Sequence, residues 1–220
     1  MKIGIIGSGH IGGNFGLLVA QAGHQVFFSS RHPEKLETLV KETGREAQAG
    51  SIEAAARFGE VIVISIPYQG LPEVANQVKE LVAGKIIIDT CNPYPGRDGK
   101  MAEEVRNDPN RRETQLTLDL FPDSKVVKAL NTIYFENLRN YSFKPAGQRI
   151  GLPVAGNDPE AKETVKKILD EIGFSAVDIG TIDESGIMEV DRELYNILMS
   201  PAEIVDHLQK PKPGMPGGGI

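Results

Sequence analysis

Cysteine is almost absent from this chain. Cys91 is the one thiol in 220 residues, which excludes an internal disulfide and fits a reducing, cytoplasmic compartment. Histidine is scarce too: His10, His24, His32 and His207 are scattered with no cysteine clustered beside them, so no metal centre is expected. Basic residues are outnumbered by acidic ones, 24 to 30, and the net charge of −6 argues against a nucleic-acid partner, which requires a basic face. No apolar stretch approaches the ~18 residues of a membrane span, so no membrane partner is expected. The apolar pattern starts at Ile3, so no leader peptide is expected.

Glycine is abundant, 24 residues, and its placement near the start is specific. Lys2-Ile3-Gly4-Ile5-Ile6 reads as a short buried strand that runs into Gly7-Ser8-Gly9-His10-Ile11-Gly12. In such a turn Gly7 allows the tight bend, Gly9 lets the backbone approach phosphates, and Gly12 lets helix and strand pack closely. The free amides of the helix start would then face an anion. Ile11, Phe15, Leu18, Val19 and Ala22 fall on one helical face that ends at Gly23, so the turn sits between a strand and a helix, as dinucleotide binding demands.

The rest of the chain repeats this alternation. Second to fourth strands are expected at 25–29, 61–66 and 86–89, the third being a continuous apolar run of the kind buried on both faces of a parallel sheet. Further strands are expected at 126–130, 150–154 and 175–179. Helices are expected after Pro33 up to Gly44, from the Ser51 cap through Arg57, over 71–82, around 135–141, and from Asp158-Pro159 to Gly173. Residues 92–99, rich in Pro and Gly, read as a loop. Residues 185–208 read as largely helical with a break at Pro201, and their apolar residues lack an evident burial partner, which suggests a homodimer. The reading is an α/β, Rossmann-like, doubly wound and mostly parallel sheet, one domain over 1–209 with a C-terminal helical extension, and a flexible Pro/Gly tail at 210–220.

In an open α/β sheet the ligand lies beyond the carboxyl ends of the strands. At the end of the second strand an NAD site carries an acid for the ribose hydroxyls; here Ser29, Ser30, Arg31 and His32 stand instead, with Lys35 a turn on, which favours the 2′-phosphate of NADP(H). The third strand ends in Ser65-Ile66-Pro67-Tyr68, the fourth in Asp89-Thr90-Cys91-Asn92, the fifth in Asn131-Thr132-Ile133. No histidine falls where a general base would stand, Cys91 reads as a small buried residue, and Lys128 can pair with a carboxylate as readily as act in catalysis. A reaction that needs no placed acid or base is hydride transfer between two stacked rings, where orientation does the work.

Gly7-Ser8-Gly9-His10-Ile11-Gly12, Ser30-Arg31 with Lys35, Ser65-Ile66-Pro67-Tyr68, Asn92-Pro93 and Lys128-Ala129-Leu130-Asn131-Thr132-Ile133 together resemble the family of coenzyme F420-dependent NADP oxidoreductases, over residues 1–187. The resemblance implies that Ser8, His10, Ile11, Ser30, Arg31 and Lys35 hold NADPH, and that Asn92, Asn131, Thr132 and Ile133 face the nicotinamide and a second ring. With Gly7, Gly9, Gly12, Ser65, Ile66, Pro67 and Tyr68 these form the expected cofactor site, and the expected partner is a small electron carrier, the deazaflavin F420 or a flavin. The reductase domain of membrane metalloreductases is similar too, with a flavin in the deazaflavin's place. Two competing readings are an NADPH-dependent imine or keto reductase, for which 185–208 offers too small a helical half, and a non-enzymatic NADP-binding redox sensor.

Overall fold

The computed structural model describes residues 1–44 and 46–209. Its strands are β1 (Lys2–Ile6), β2 (Gln25–Ser29), β3 (Gln48–Gly50), β4 (Val61–Ile64), β5 (Ile86–Asp89), β6 (Lys125–Lys128), β7 (Gly151–Gly156) and β8 (Ser175–Asp178). They form one sheet in the order β3-β2-β1-β4-β5-β6-β7-β8, parallel except where β7 runs against β6. The helices are α1 (His10–Gln21), α2 (Glu37–Thr43), α3 (Ile52–Phe58), α4 (Leu71–Val78), α5 (Pro95–Asn107), α6 (Gln115–Leu120), α7 (Phe135–Asn140), α8 (Pro159–Glu171) and α9 (Pro201–Gln209).

The central strands are apolar on both faces because both faces are covered. Ile3, Ile5, Val61, Val63, Ile88 and Val127 pack with Phe15, Leu138 and Ile168 on one side, whereas Ile6, Ile62, Ile64, Ile87 and Val126 pack with Leu71, Val78, Val105 and Phe121 on the other. The period-two alternation of side chains thus places α1, α7 and α8 on one face and α4, α5 and α6 on the opposite one. Each fully buried Ile or Phe side chain stabilises this sandwich by roughly 1.5–3 kcal/mol. Local signals act where expected: the Ser51 hydroxyl accepts from the Ala54 amide at 3.2 Å, and Asp158 accepts from Ala161 at 2.8 Å above Pro159.

Several segments differ from the sequence expectation, among them α6, for which no element is expected. β3 is a short edge strand, paired only through Phe27↔Gln48 to Ser29↔Gly50, too brief to show a pattern. The expected loop at 92–99 turns into a helix at Pro95, because the buried Asp98 carboxylate accepts from the Tyr94 and Gln69 amides at 2.9 and 3.3 Å; Gly99, at φ +57°, kinks that helix. The expected helix over 185–208 is mostly not one. A 3₁₀ segment, Ile182–Met188, opens on the Thr181/Glu184 capping box, and α9 begins only at Pro201. Between them the backbone makes isolated turns, Arg192 N–H to Glu189 and Tyr195 N–H to Arg192, and also bonds to the sheet and its loops: Asn196 N–H donates to the Thr132 carbonyl at 3.0 Å, and Gly151 N–H to that of Met199 at 2.8 Å.

That path also supplies the burial partner missing from the sequence. Met188, Leu194 and Ile204 pack with Ala155, Val177, Ile179 and Ile182 along the β7–β8 end of the sheet, within the same chain. Ile197, Leu198, Val205 and Leu208 stay exposed. No helix among the described residues is long and apolar enough to cross a membrane. The expected tail at 210–220 lies outside the described residues.

Candidate active site

The strand order turns back between β1 and β4: β2 and β3 lie to one side of β1, β4 onward to the other. A crevice opens at such a switch point beyond the strand ends, here beyond Gly7 and Ser65. Gly7 adopts φ +94°, and a Cβ there would lie 2.2 Å from the Ser65 carbonyl oxygen; at Gly12 it would lie 2.1 Å from that of Gly7. Helix α1 therefore sits flush on the turn. Gly9 differs, since a Cβ there would meet nothing within 4 Å, and Gly9 caps α1 without a side-chain hydrogen bond. The amides of the first turn are left open to an anion, and the residues present fit a pyrophosphate.

At the end of β2 the groups divide. Ser29 is fully buried and donates to the Ile5 carbonyl at 2.8 Å, so it is structural; Ser8 donates to the Ser29 carbonyl at 3.0 Å. Ser30 is half-buried and accepts from the His32 amide at 2.9 Å. Arg31 and Lys35 are exposed, and their side chains form no ion pair among the described residues, whereas His32 contacts Glu34 at 3.3 Å. Two uncommitted cations beside a hydroxyl suit a phosphate dianion.

Beyond β4, Ser65 and Ile66 are half-buried and Pro67 is exposed, but Tyr68 turns inward: it is 1% exposed and donates to the Glu113 carbonyl at 2.9 Å. Beyond β5 and β6 the ionisable groups are locked together. Lys128 and Asp89, each 1% exposed, pair at 3.3 Å, and Lys128 also donates to the Cys91 carbonyl; Thr117 donates to Asp89 at 3.1 Å. Burial, with Asp89 beside it, pushes the Cys91 thiol up well beyond its ordinary range, so it is inert at neutral pH.

The amides above this layer meet directly. Asn92 Nδ2 donates to the Asn131 carbonyl at 2.9 Å, and Asn131 Nδ2 donates to Asn92 Oδ1 at 3.2 Å and to the Met188 carbonyl at 2.7 Å. Asn131 Oδ1 is buried without a partner among the described residues. Thr132 and Ile133 follow, both buried, after a Leu130 forced to φ +63°. A leucine in the left-handed region is strained by about 1 kcal/mol or more, and such strain persists only where the surroundings hold it. The structure thus brings Asn92, Asn131, Thr132 and Ile133 to one place.

Several neighbours are not evident from the sequence. The Tyr94 and Tyr195 hydroxyls bond to each other, Asn92 Nδ2 reaches Tyr94 Oη at 3.3 Å, and the Arg97 guanidinium lies over the Tyr94 ring. Tyr94 lies in the Pro/Gly-rich segment and Tyr195 comes from a stretch distant in sequence, so spacing could not pair them. His10 stacks on Phe135 with centroids 4.3 Å apart. A second cleft, about 380 Å³, opens between residues 105–113 and 189–192. In it Glu113 N–H donates to Glu189 at 2.9 Å and Val190 N–H to Glu113 at 3.3 Å. Burial pushes the Glu113 carboxyl up to about 7; Lys128 pulls it down, and Glu189 adds to the rise.

Residues 2–93 match the family described as NADP oxidoreductase coenzyme F420-dependent. An F420-dependent NADP reductase of Methanocaldococcus jannaschii is 29% identical over 200 residues, which span 86% of this chain and 88% of that protein. The metalloreductase STEAP3 of Rattus norvegicus is 30% identical over 187 residues, 82% of this chain but 34% of that protein. A solved structure from Arthrobacter sp. FB24, described as a candidate F420-dependent NADP reductase, superposes with a TM-score of 0.71 at 25% identity, covering 83% of this chain and 86% of its own. With the glycine turn, the open helix start and the exposed Arg31 and Lys35 in place, the protein is an NADP-dependent oxidoreductase whose residues 2–93 are similar to the family of coenzyme F420-dependent NADP oxidoreductases.

Proposed function

We propose that this protein passes a hydride between NADP(H) and a flat conjugated ring, a deazaflavin of the F420 type or a flavin. The carrying observation is that the ionisable groups under the strand ends, Asp89 and Lys128, are consumed by each other, and what stands above them is neutral amide and hydroxyl. NADPH supplies the hydride when bound. The α1 start would hold its pyrophosphate and Ser30, Arg31 and Lys35 its 2′-phosphate, and the residues beyond β5 and β6 would face its reactive ring. There Asn92 and Asn131, braced by each other and by the Met188 carbonyl, hold position rather than move a proton. Orientation of this kind lowers a barrier without a placed acid or base. The name of the M. jannaschii relative supports the deazaflavin, and that of the rat relative supports a redox reaction.

The test is consumption of NADPH, and separately of NADH, with coenzyme F420, FMN, FAD, riboflavin, a ferric chelate and a cyclic imine. We expect turnover with at least one ring acceptor and a clear preference for NADPH. Turnover of the imine with none of the rings would replace this reading by that of an imine reductase, and tight NADP binding with no turnover at all would make the protein a sensor.

A further inference from the structure

One aromatic ring stands open at the carboxyl edge of the sheet. Tyr134 follows Thr132 and Ile133 directly, yet 46% of it is exposed while both of them are buried. Its ring tilts on Phe135 with centroids 4.5 Å apart, and Phe135 stacks on His10 at 4.3 Å with 21° between the planes. Asn14 Nδ2 donates to the Phe135 carbonyl at 3.1 Å and fixes this segment to α1. The rings therefore step from the first residue of α1, in the glycine turn, to the end of β6. Phe143, which is also exposed, lies elsewhere: its amide donates to the Ile172 carbonyl just beyond α8.

We propose that the open face of Tyr134 is the surface on which the flat heterocycle of the hydride acceptor stacks, so that Tyr134 determines which acceptors are used. This rests on the hydride-transfer reading above. Two rings that exchange a hydride lie face to face with reacting atoms about 3–3.5 Å apart. The acceptor ring then sits one ring thickness outward of the nicotinamide. With the nicotinamide over Asn92 and Asn131–Ile133, the next side chain outward along the chain is Tyr134. A ring already tilted on Phe135, itself stacked on His10, loses little freedom on stacking, which is what makes an anchored tyrosine an effective platform. The class of acceptor selected is a planar conjugated heterocycle; a bare ferric chelate, which has no extended face, gains nothing from this ring.

The experiment compares wild type, Tyr134→Leu and Tyr134→Phe with FMN and with coenzyme F420, each titrated alone in the presence of NADP⁺ and each assayed as acceptor with NADPH. Quenching of ring fluorescence reports stacking, and thermal melting reports folding. Tyr134→Leu is expected to weaken binding of the ring about 10-fold or more and to raise its KM in step, with the dissociation constant for NADPH unchanged. Tyr134→Phe, which keeps the face and loses the hydroxyl, is expected to stay within about twofold of wild type. Wild-type KM and quenching in a folded Tyr134→Leu, with FMN or F420 still reduced, would overturn the stacking role and leave the hydride-transfer reading intact. A wild-type protein that neither binds nor reduces either ring would overturn both.

Discussion

Arg31 shows what one residue contributes when its neighbours leave it uncommitted. Its guanidinium is exposed beyond β2, without an ion-pair partner among the described residues, and Ser30 and Lys35 flank it. A charge-assisted hydrogen bond to phosphate is worth about 1.5 to 3 kcal/mol, so Arg31→Ala is expected to weaken NADPH binding roughly 10- to 150-fold and leave NADH nearly unchanged. Titration calorimetry with both cofactors checks this, and equal losses would remove Arg31 from the 2′-phosphate site. At this scale residue chemistry was legible but commitment was not. Ser29 and Ser30 look alike in the sequence; burial gives the first to the Ile5 carbonyl and leaves the second at the surface. Tyr68 likewise has the position of a site residue, and its hydroxyl is taken by Glu113.

Among elements, the β1 turn and α1 are the pair on which the proposed cofactor site depends. Gly12 and Gly13 are adjacent, but a Cβ at Gly12 would lie 2.1 Å from the Gly7 carbonyl oxygen, and one at Gly13 would lie 3.4 Å from that of Ser8. Gly12→Ala must push α1 off the turn, and a loss of stability of about 2–3 kcal/mol with loss of NADPH binding is expected. Gly13→Ala fits and gains helix propensity, up to about 1 kcal/mol. Urea melts of the two variants give the comparison; equal effects would mean that helix and strand are not in close contact. Elements with their own periodicity or caps, such as β1, α1, β4 and α8, were legible. Helix α5 was not, because its start is held by Asp98 bonds to Tyr94 and Gln69, and residue 69 lies on another element.

For the whole molecule, the C-terminal segment is tied to the helical layer through carboxylates. Glu113, 3% exposed, accepts from Val190, and Glu189 accepts from Glu113 and pairs with Arg112 at 3.5 Å. Glu113 titrates near 7 in the folded protein against an ordinary value of 4.5. Between these values the folded state holds a proton that the unfolded state has released, so stability is highest below this window and falls as pH rises through it. Glu113→Gln, which keeps the acceptor for Val190, is expected to flatten that fall and to raise stability at pH 8 by on the order of 2 kcal/mol. Denaturant midpoints from pH 5 to 8 decide it; a wild-type profile as flat as that of the variant would show that Glu113 is ionised throughout.

The sequence by itself determined the parallel, two-faced sheet and the phosphate turn. Both follow from local rules: side chains alternate along a strand, and only glycine permits the bends and close approaches at Gly7 and Gly12. It also set Ser30, Arg31 and Lys35 side by side, since they are neighbours in the chain, which is the ground for the proposed 2′-phosphate site. Tertiary structure decided the rest. The Asp89–Lys128 pair, the Tyr94–Tyr195 contact, the Asn92–Asn131–Met188 brace and the non-helical path of 189–200 each join residues far apart in sequence. Their energy depends on which strands become neighbours, and no spacing along the chain records that order.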